Sequence, residues 1–193
     1  TPGPHLFDMS VGYDLAGIQS EAMAGFLSGL LDASEVIDRL RPEIPDPFAA
    51  WRDFAFPTRV VGGVTLSTFH GCPPDEIEAI ARHLMTEYGL DVVVKLNPTL
   101  LGVDAVGAIL RRLGHEGVVL DPDAFVADLQ YGRALEMIRS LREFASANGR
   151  TVGIKLTNTL VVRNQRGRLP GDTMYLSGKP LHAIAVTLLD RLV

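Results

Sequence analysis

Apolar and polar residues follow two periods along this chain, and the switching between them predicts its architecture. Short β-branched or alternating runs read as strands over Leu6–Val11, Val60–Thr68, Asp91–Leu96, Val118–Asp121 and Val152–Leu156. Helical spacing fills the intervals. Ser20 to about Leu40 is mostly helical, Val103–Leu113 ends at Gly114, Arg133–Ala147 ends at Asn148-Gly149, and Leu181–Leu192 closes the chain. The best-defined helix opens at Pro73-Pro74-Asp75-Glu76, carries Ile77, Ile80, Ala81 and Leu84 on one stripe, and stops at Gly89. Arg41–Phe56 reads as an irregular connection and Arg163–Asp172 as a mobile loop. Strands alternating with helices predict an α/β fold with a parallel sheet.

Composition narrows the class. The 193 residues are 47 % apolar and 21 % charged, as expected of a globular domain rather than a disordered chain. One cysteine excludes an internal disulfide. A net charge of −5 gives no general attraction to nucleic acid or anionic lipid, so neither is an expected partner. No apolar run is long enough for a membrane span, and Thr1-Pro-Gly-Pro4 lacks the blocks of a signal peptide. A cytoplasmic domain is the expectation. The absence of an initial Met and of a stop signal after Leu192-Val193 predicts a single domain, 1–193, cut from a longer protein.

Candidate chemistry gathers at the carboxyl ends of the strands, where parallel α/β folds place ligands. These ends carry Ser67-Thr68-Phe69-His70-Gly71-Cys72, Lys95-Leu96-Asn97-Pro98-Thr99, Asp121-Pro122-Asp123 and Lys155-Leu156-Thr157-Asn158-Thr159. The second and fourth echo each other. Cys72 precedes a helix entry, where partial positive charge favours a thiolate of lowered pKa; the alternative is a small buried hydrophobe. Lys95 and Lys155 emerge from apolar strands, placed either to donate to an electron-rich ring or to form a Schiff base. Asn97, Thr157, Asn158 and Thr159 offer mixed donors and acceptors suited to a polar heterocycle. Ser177-Gly178 opens the last helix and offers backbone N–H groups to an anion. His70-x-Cys72 lacks the further ligands of a zinc site, and Asp121, Asp123 and Asp128 lack the glycine and glutamate of a calcium loop, so no metal is expected. No glycine-rich dinucleotide or P-loop motif occurs.

Taken in order, Asp8-Met-Ser-Val-Gly-Tyr-Asp14, Ser67–Pro74, Val94–Thr99, Lys155–Thr159 and Met174–Gly178 resemble the "putative selenate reductase" family. These are large flavoproteins similar to dihydropyrimidine dehydrogenase and to the glutamate synthase small subunit. More distantly the chain is similar to the FMN barrels of dihydropyrimidine and dihydroorotate dehydrogenases. The resemblance implies a (β/α)8 TIM-barrel-like fold of the FMN-linked type. A TIM barrel typically needs ~250 residues, so this chain is expected to hold about five or six βα units of one. It further implies Cys72 as catalytic general acid or base, aided by His70. Lys95 or Lys155, with Ser177 and Gly178, would contact FMN; Asn97, Thr157, Asn158 and Thr159 would bind a small heterocycle. FAD, iron–sulfur clusters and further domains or subunits belong to the rest of such a protein. Selenate reduction itself does not follow from these residues. Two other functions fit the residues: a non-catalytic docking module derived from a barrel, and a Schiff-base aldolase or lyase.

Overall fold

Four β-branched runs lie side by side as a parallel sheet: β1 (Met9–Val11), β2 (Gly63–Ser67), β3 (Asp91–Leu96) and β4 (Val152–Leu156), in that spatial order. The computed structural model describes residues 9–193 apart from Phe69 and Arg168. The first part of the expected Leu6–Val11 strand therefore lies outside the described residues. Because each strand is laid beside the one before it, the order never reverses. That progression is the arc of a barrel, not the reversal of a doubly wound sheet.

Strand alternation assigns the two faces. On β3, Val92, Val94 and Leu96 are buried while Asp91, Val93 and Lys95 are half-buried. Val64, Leu66, Val92, Val94 and Leu96 share one core with residues of the covering helices. In register, Ser67 pairs with Lys95 and Lys95 with Lys155. These three side chains therefore form a row on the face turned away from the helices.

The best-defined predicted helix is α4 (Pro74–Tyr88), which follows β2; α1 (Leu15–Ile18), α2 (Glu21–Leu31) and α3 (Ser34–Leu40) precede it. Prolines set its first turn, and Gly89 at φ 58° ends it in the left-handed conformation that a side chain would disfavour. Its stripe of Ile77, Ile80, Ala81, Leu84 and Met85 is buried. Between β3 and β4 lie α5 (Val103–Arg112), α6 (Pro122–Ala127) and α7 (Tyr131–Ala147), the last packed against α4. Ser140 on α7 donates to Glu78 at 2.6 Å and accepts from Arg82 at 2.8 Å, tying the two helices across their half-buried seam. After β4 come an antiparallel hairpin, β5 (Leu160–Arg163) and β6 (Thr173–Leu176), and then α8 (Pro180–Leu192). Helix α8 packs on β4, on α5 and on the 3-10 turn Pro98–Leu101. None of the described helices is long and apolar enough to cross a membrane.

The structure corrects several expectations. Among the described residues the parallel sheet holds four strands, β1 to β3 followed by helical structure and β4 by a hairpin and then α8, against the five or six βα units expected. Val118–Asp121 is not a sheet strand; only Leu120 forms a bridge, antiparallel to Val162 of β5. The helix expected from Ser20 to Leu40 breaks into α2 and α3, because Asp32 takes an extended backbone and its carboxylate accepts from the Ser34 N–H and hydroxyl. Arg163–Asp172 is the connection of a hairpin, held by Asn164, whose amide donates to the Leu169 and Gly171 carbonyls. The apolar run Leu160–Val162 and the alternating run Thr173–Leu176 carry that hairpin, and the polar stretch between them masked it.

Candidate active site

The turn from β2 into α4 is fastened to its neighbours by one buried carboxylate. Asp128, in the extended link between α6 and α7, is 4 % exposed. Its Oδ1 accepts the Gly71 N–H at 2.7 Å. Its Oδ2 accepts from Thr99 Oγ1 at 2.7 Å, faces His70 Nδ1 at 2.8 Å and accepts from Asn97 Nδ2 at 3.1 Å. Burial alone would raise the Asp128 pKa, but the bonds from His70, Thr99 and Gly71 outweigh it and hold the carboxyl below its ordinary value. A buried anion is tolerated only when so bonded.

His70 extends the network. Its Nε2 lies 3.1 Å from the Thr159 carbonyl, just past β4. Both ring nitrogens thus lie within hydrogen-bond distance of oxygen atoms. The exposed Tyr175 ring of β6 stacks on His70, with centroids 5.8 Å apart and planes 22° from parallel. One imidazole therefore joins the ends of β2 and β4, the α6–α7 link and the hairpin.

Cys72 lies beside this junction, 4 % exposed, its Sγ 3.9 Å from the Pro73 carbonyl. The expected activated thiolate is not what the surroundings produce. Burial pushes the thiol up to about 11, and Glu76 and Asp14 add negative charge in the same direction. Prolines at the start of α4 also remove N–H groups that would stabilise a thiolate. Cys72 therefore keeps its proton at neutral pH, which suits a proton donor and not a nucleophile.

The remaining predicted residues fall into two groups. Asn97 is buried with Oδ1 lacking a partner among the described residues, and Thr157 Oγ1 is likewise buried and unpartnered. Such atoms in a native fold call for an explanation, and a polar ligand supplies one. Lys95 is half-buried on the open face; Lys155, its register partner, is exposed. Asn158, in contrast, spends its side chain on the scaffold: Nδ2 donates to the Thr68 carbonyl at 2.7 Å and Oδ1 accepts the Thr159 N–H. Thr68 in turn donates to the Lys95 carbonyl at 3.0 Å. Thr159 enters the network through its carbonyl. Ser177 and Gly178 are exposed beyond β6, two and three residues past Tyr175. No group of three or more His, Cys, Asp or Glu among the described residues is placed to hold a metal.

Sequence reasoning missed Asp128 as a site residue, weighing it only as one member of an acidic cluster. The available signal was a lone carboxylate inside the apolar stretch Phe125-Val-Ala-Asp-Leu129, where burial demands bonded partners. Tyr175 lies within the Met174–Gly178 segment but gave no signal of its own, because the hairpin that carries it was not legible.

Comparison with known proteins supplies the context. The chain is 40 % identical to the protein named "Putative oxidoreductase YgfK" from Escherichia coli K12, over 95 % of this chain and 20 % of that protein. The same values hold for its counterpart in Escherichia coli O157:H7. The chain thus spans about one fifth of the length of these curated relatives. No solved structure matches it. A family model described as "Oxidoreductase YgfK, N-terminal TIM-barrel domain" matches residues 2–193. The order of the four described strands agrees with an arc of a TIM barrel. The chain belongs to the family of N-terminal TIM-barrel domains of the oxidoreductase YgfK.

Proposed function

We propose that this chain forms the proton-donating and ring-binding part of an FMN-dependent oxidoreductase that reduces or oxidises a C=C bond of a small heterocycle. The observation that carries this reading is Cys72: a buried thiol held protonated at the carboxyl end of a barrel strand. A thiolate poised for attack would need the opposite environment.

The donor set fits a flat, polar ring. Lys95 stands on the open face, and the unpartnered Asn97 Oδ1 and Thr157 Oγ1 supply an acceptor and a hydroxyl at the ends of adjacent strands. Lys95, with Ser177 and Gly178, would hold FMN, while Asn97 and Thr157 would orient the substrate. The chemistry FMN supplies when bound is hydride exchange with one carbon of a polarised double bond. Cys72 Sγ gives its proton to the neighbouring carbon in reduction, as a general acid, and the thiolate left behind is reprotonated once product leaves. Burial of Cys72 keeps that proton from exchanging freely with water. The remaining four-fifths of a protein of the relatives' length would carry electrons to and from this site.

The test is to release flavins from the intact protein with acid and separate FMN from FAD by chromatography. The proposal expects bound FMN. An intact protein that neither contains nor takes up FMN contradicts it and leaves the non-catalytic docking module in its place.

A further inference from the structure

The Asp128–His70 pair is more heavily bonded than a turn of this length needs, and the place where its bonds converge suggests why. Asp128 Oδ1 takes the N–H of Gly71, the residue immediately before Cys72. Gly71 has φ 80°, a left-handed conformation that the carboxylate bond fixes from outside the turn. Oδ2 gathers His70 from the same turn, together with Asn97 and Thr99 from the end of β3. His70 then reaches the Thr159 carbonyl past β4. Three strand ends are thus referred to one carboxylate.

We infer that Asp128 and His70 are positioning residues: they lock the β2–α4 turn so that the Cys72 thiol is held inside the site, beside the ends of β3 and β4. This deepens the proton-donor reading and rests on it for its purpose. Neither residue needs to touch substrate. Replacing Asp128 by Asn puts an amide N–H₂ where acceptors are needed, so at least one of the four bonded donors loses its partner. Either the Gly71 N–H loses its acceptor or His70, Thr99 and Asn97 lose theirs, and in both cases the turn is loosened and Cys72 with it.

Cys72 itself reports the outcome through its alkylation by iodoacetamide, followed on its own peptide by mass spectrometry in the intact protein. The unaltered protein should react at least tenfold more slowly than a free thiol at pH 7. Asp128→Asn should accelerate the reaction at least tenfold in native buffer, and His70→Asn, which keeps a donor toward Asp128 but loses the Thr159 contact, by a smaller factor. Leu141→Ala, a cavity in the buried stripe of α7 away from the turn, controls for general destabilisation. Thr99→Val, which removes one bond and little shape, serves if Asp128→Asn fails to fold; it should accelerate the reaction about two- to fivefold. Unchanged reactivity in Asp128→Asn, or in Thr99→Val where that variant stands in, overturns the inference. So does equal acceleration in Leu141→Ala. Alkylation is read without FMN or substrate, so absence of FMN from the intact protein would sink the proton-donor reading while leaving this result distinguishable.

Discussion

The two echoing strand ends, Lys95-Leu-Asn-Pro-Thr99 and Lys155-Leu-Thr-Asn-Thr159, are nearly the same in sequence and different in what they do. At the end of β3, Asn97, Pro98 and Thr99 are all buried and run into a 3-10 turn. At the end of β4, Thr157, Asn158 and Thr159 are only half-buried, and the chain leaves into a hairpin. The cause is position in the sheet. β3 is flanked by β2 and β4, whereas β4 pairs on one side only among the described residues. An interior strand end is surrounded by other loops; an edge strand end has them on one side. Similar residues thus stand differently at the two ends: Lys95 is half-buried where Lys155 is exposed, and Asn97 is bonded to Asp128 where Asn158 ties itself to Thr68.

The largest effect that sharpens this contrast is in the core. Leu96 and Leu156 are register partners, fully buried and half-buried respectively. Leu96→Ala should cost about 3 kcal/mol and Leu156→Ala about 1 kcal/mol in urea unfolding. Equal costs would mean that β4 is as enclosed as β3.

Acid titration gives the next effect. The folded-state pKa of Asp128 is depressed, so its contribution is present above the ordinary aspartate range and is lost as pH falls through about 4 and below. Thermal unfolding of the unaltered protein should weaken over that window. Asp128→Asn should be less stable at pH 7 and lose less on acidification; parallel curves for the two would contradict the assignment.

Smaller still, Asn158→Ala leaves the Thr68 carbonyl without its donor and should cost about 1 kcal/mol. Lys155→Ala, on an exposed side chain, should stay within about 0.5 kcal/mol of the unaltered protein. Both are read from denaturant midpoints, and a larger loss for Lys155 would place it in the scaffold.

How far the sequence carried the fold follows the same division. The interior elements were legible because their patterns are complete: α4 has proline entry, apolar stripe and glycine stop, and β3 has the apolar run Val92–Val94 and Leu96 closed by Asn-Pro. The edges were not. Val118–Asp121 has strand composition, yet it meets Val162 and Arg163 of a hairpin instead of the sheet, a tertiary choice that no local pattern encodes. The site was half legible. Strand-end position picked out Cys72, His70, Lys95, Asn97 and Thr157, but a helix N-terminus alone suggested a low thiol pKa where burial and two carboxylates, Glu76 and Asp14, impose a high one. Asp128 lies more than 50 residues from His70 in sequence, so their bond is invisible without the fold.

The central claim is that Lys95 of β3, not its β4 echo Lys155, holds FMN. Its most direct test is FMN occupancy of the intact protein carrying Lys95→Ala or Lys155→Ala, measured as FMN released per chain after purification. The account predicts that Lys95→Ala loses most of its FMN while Lys155→Ala keeps it. Loss in Lys155→Ala with retention in Lys95→Ala would contradict it.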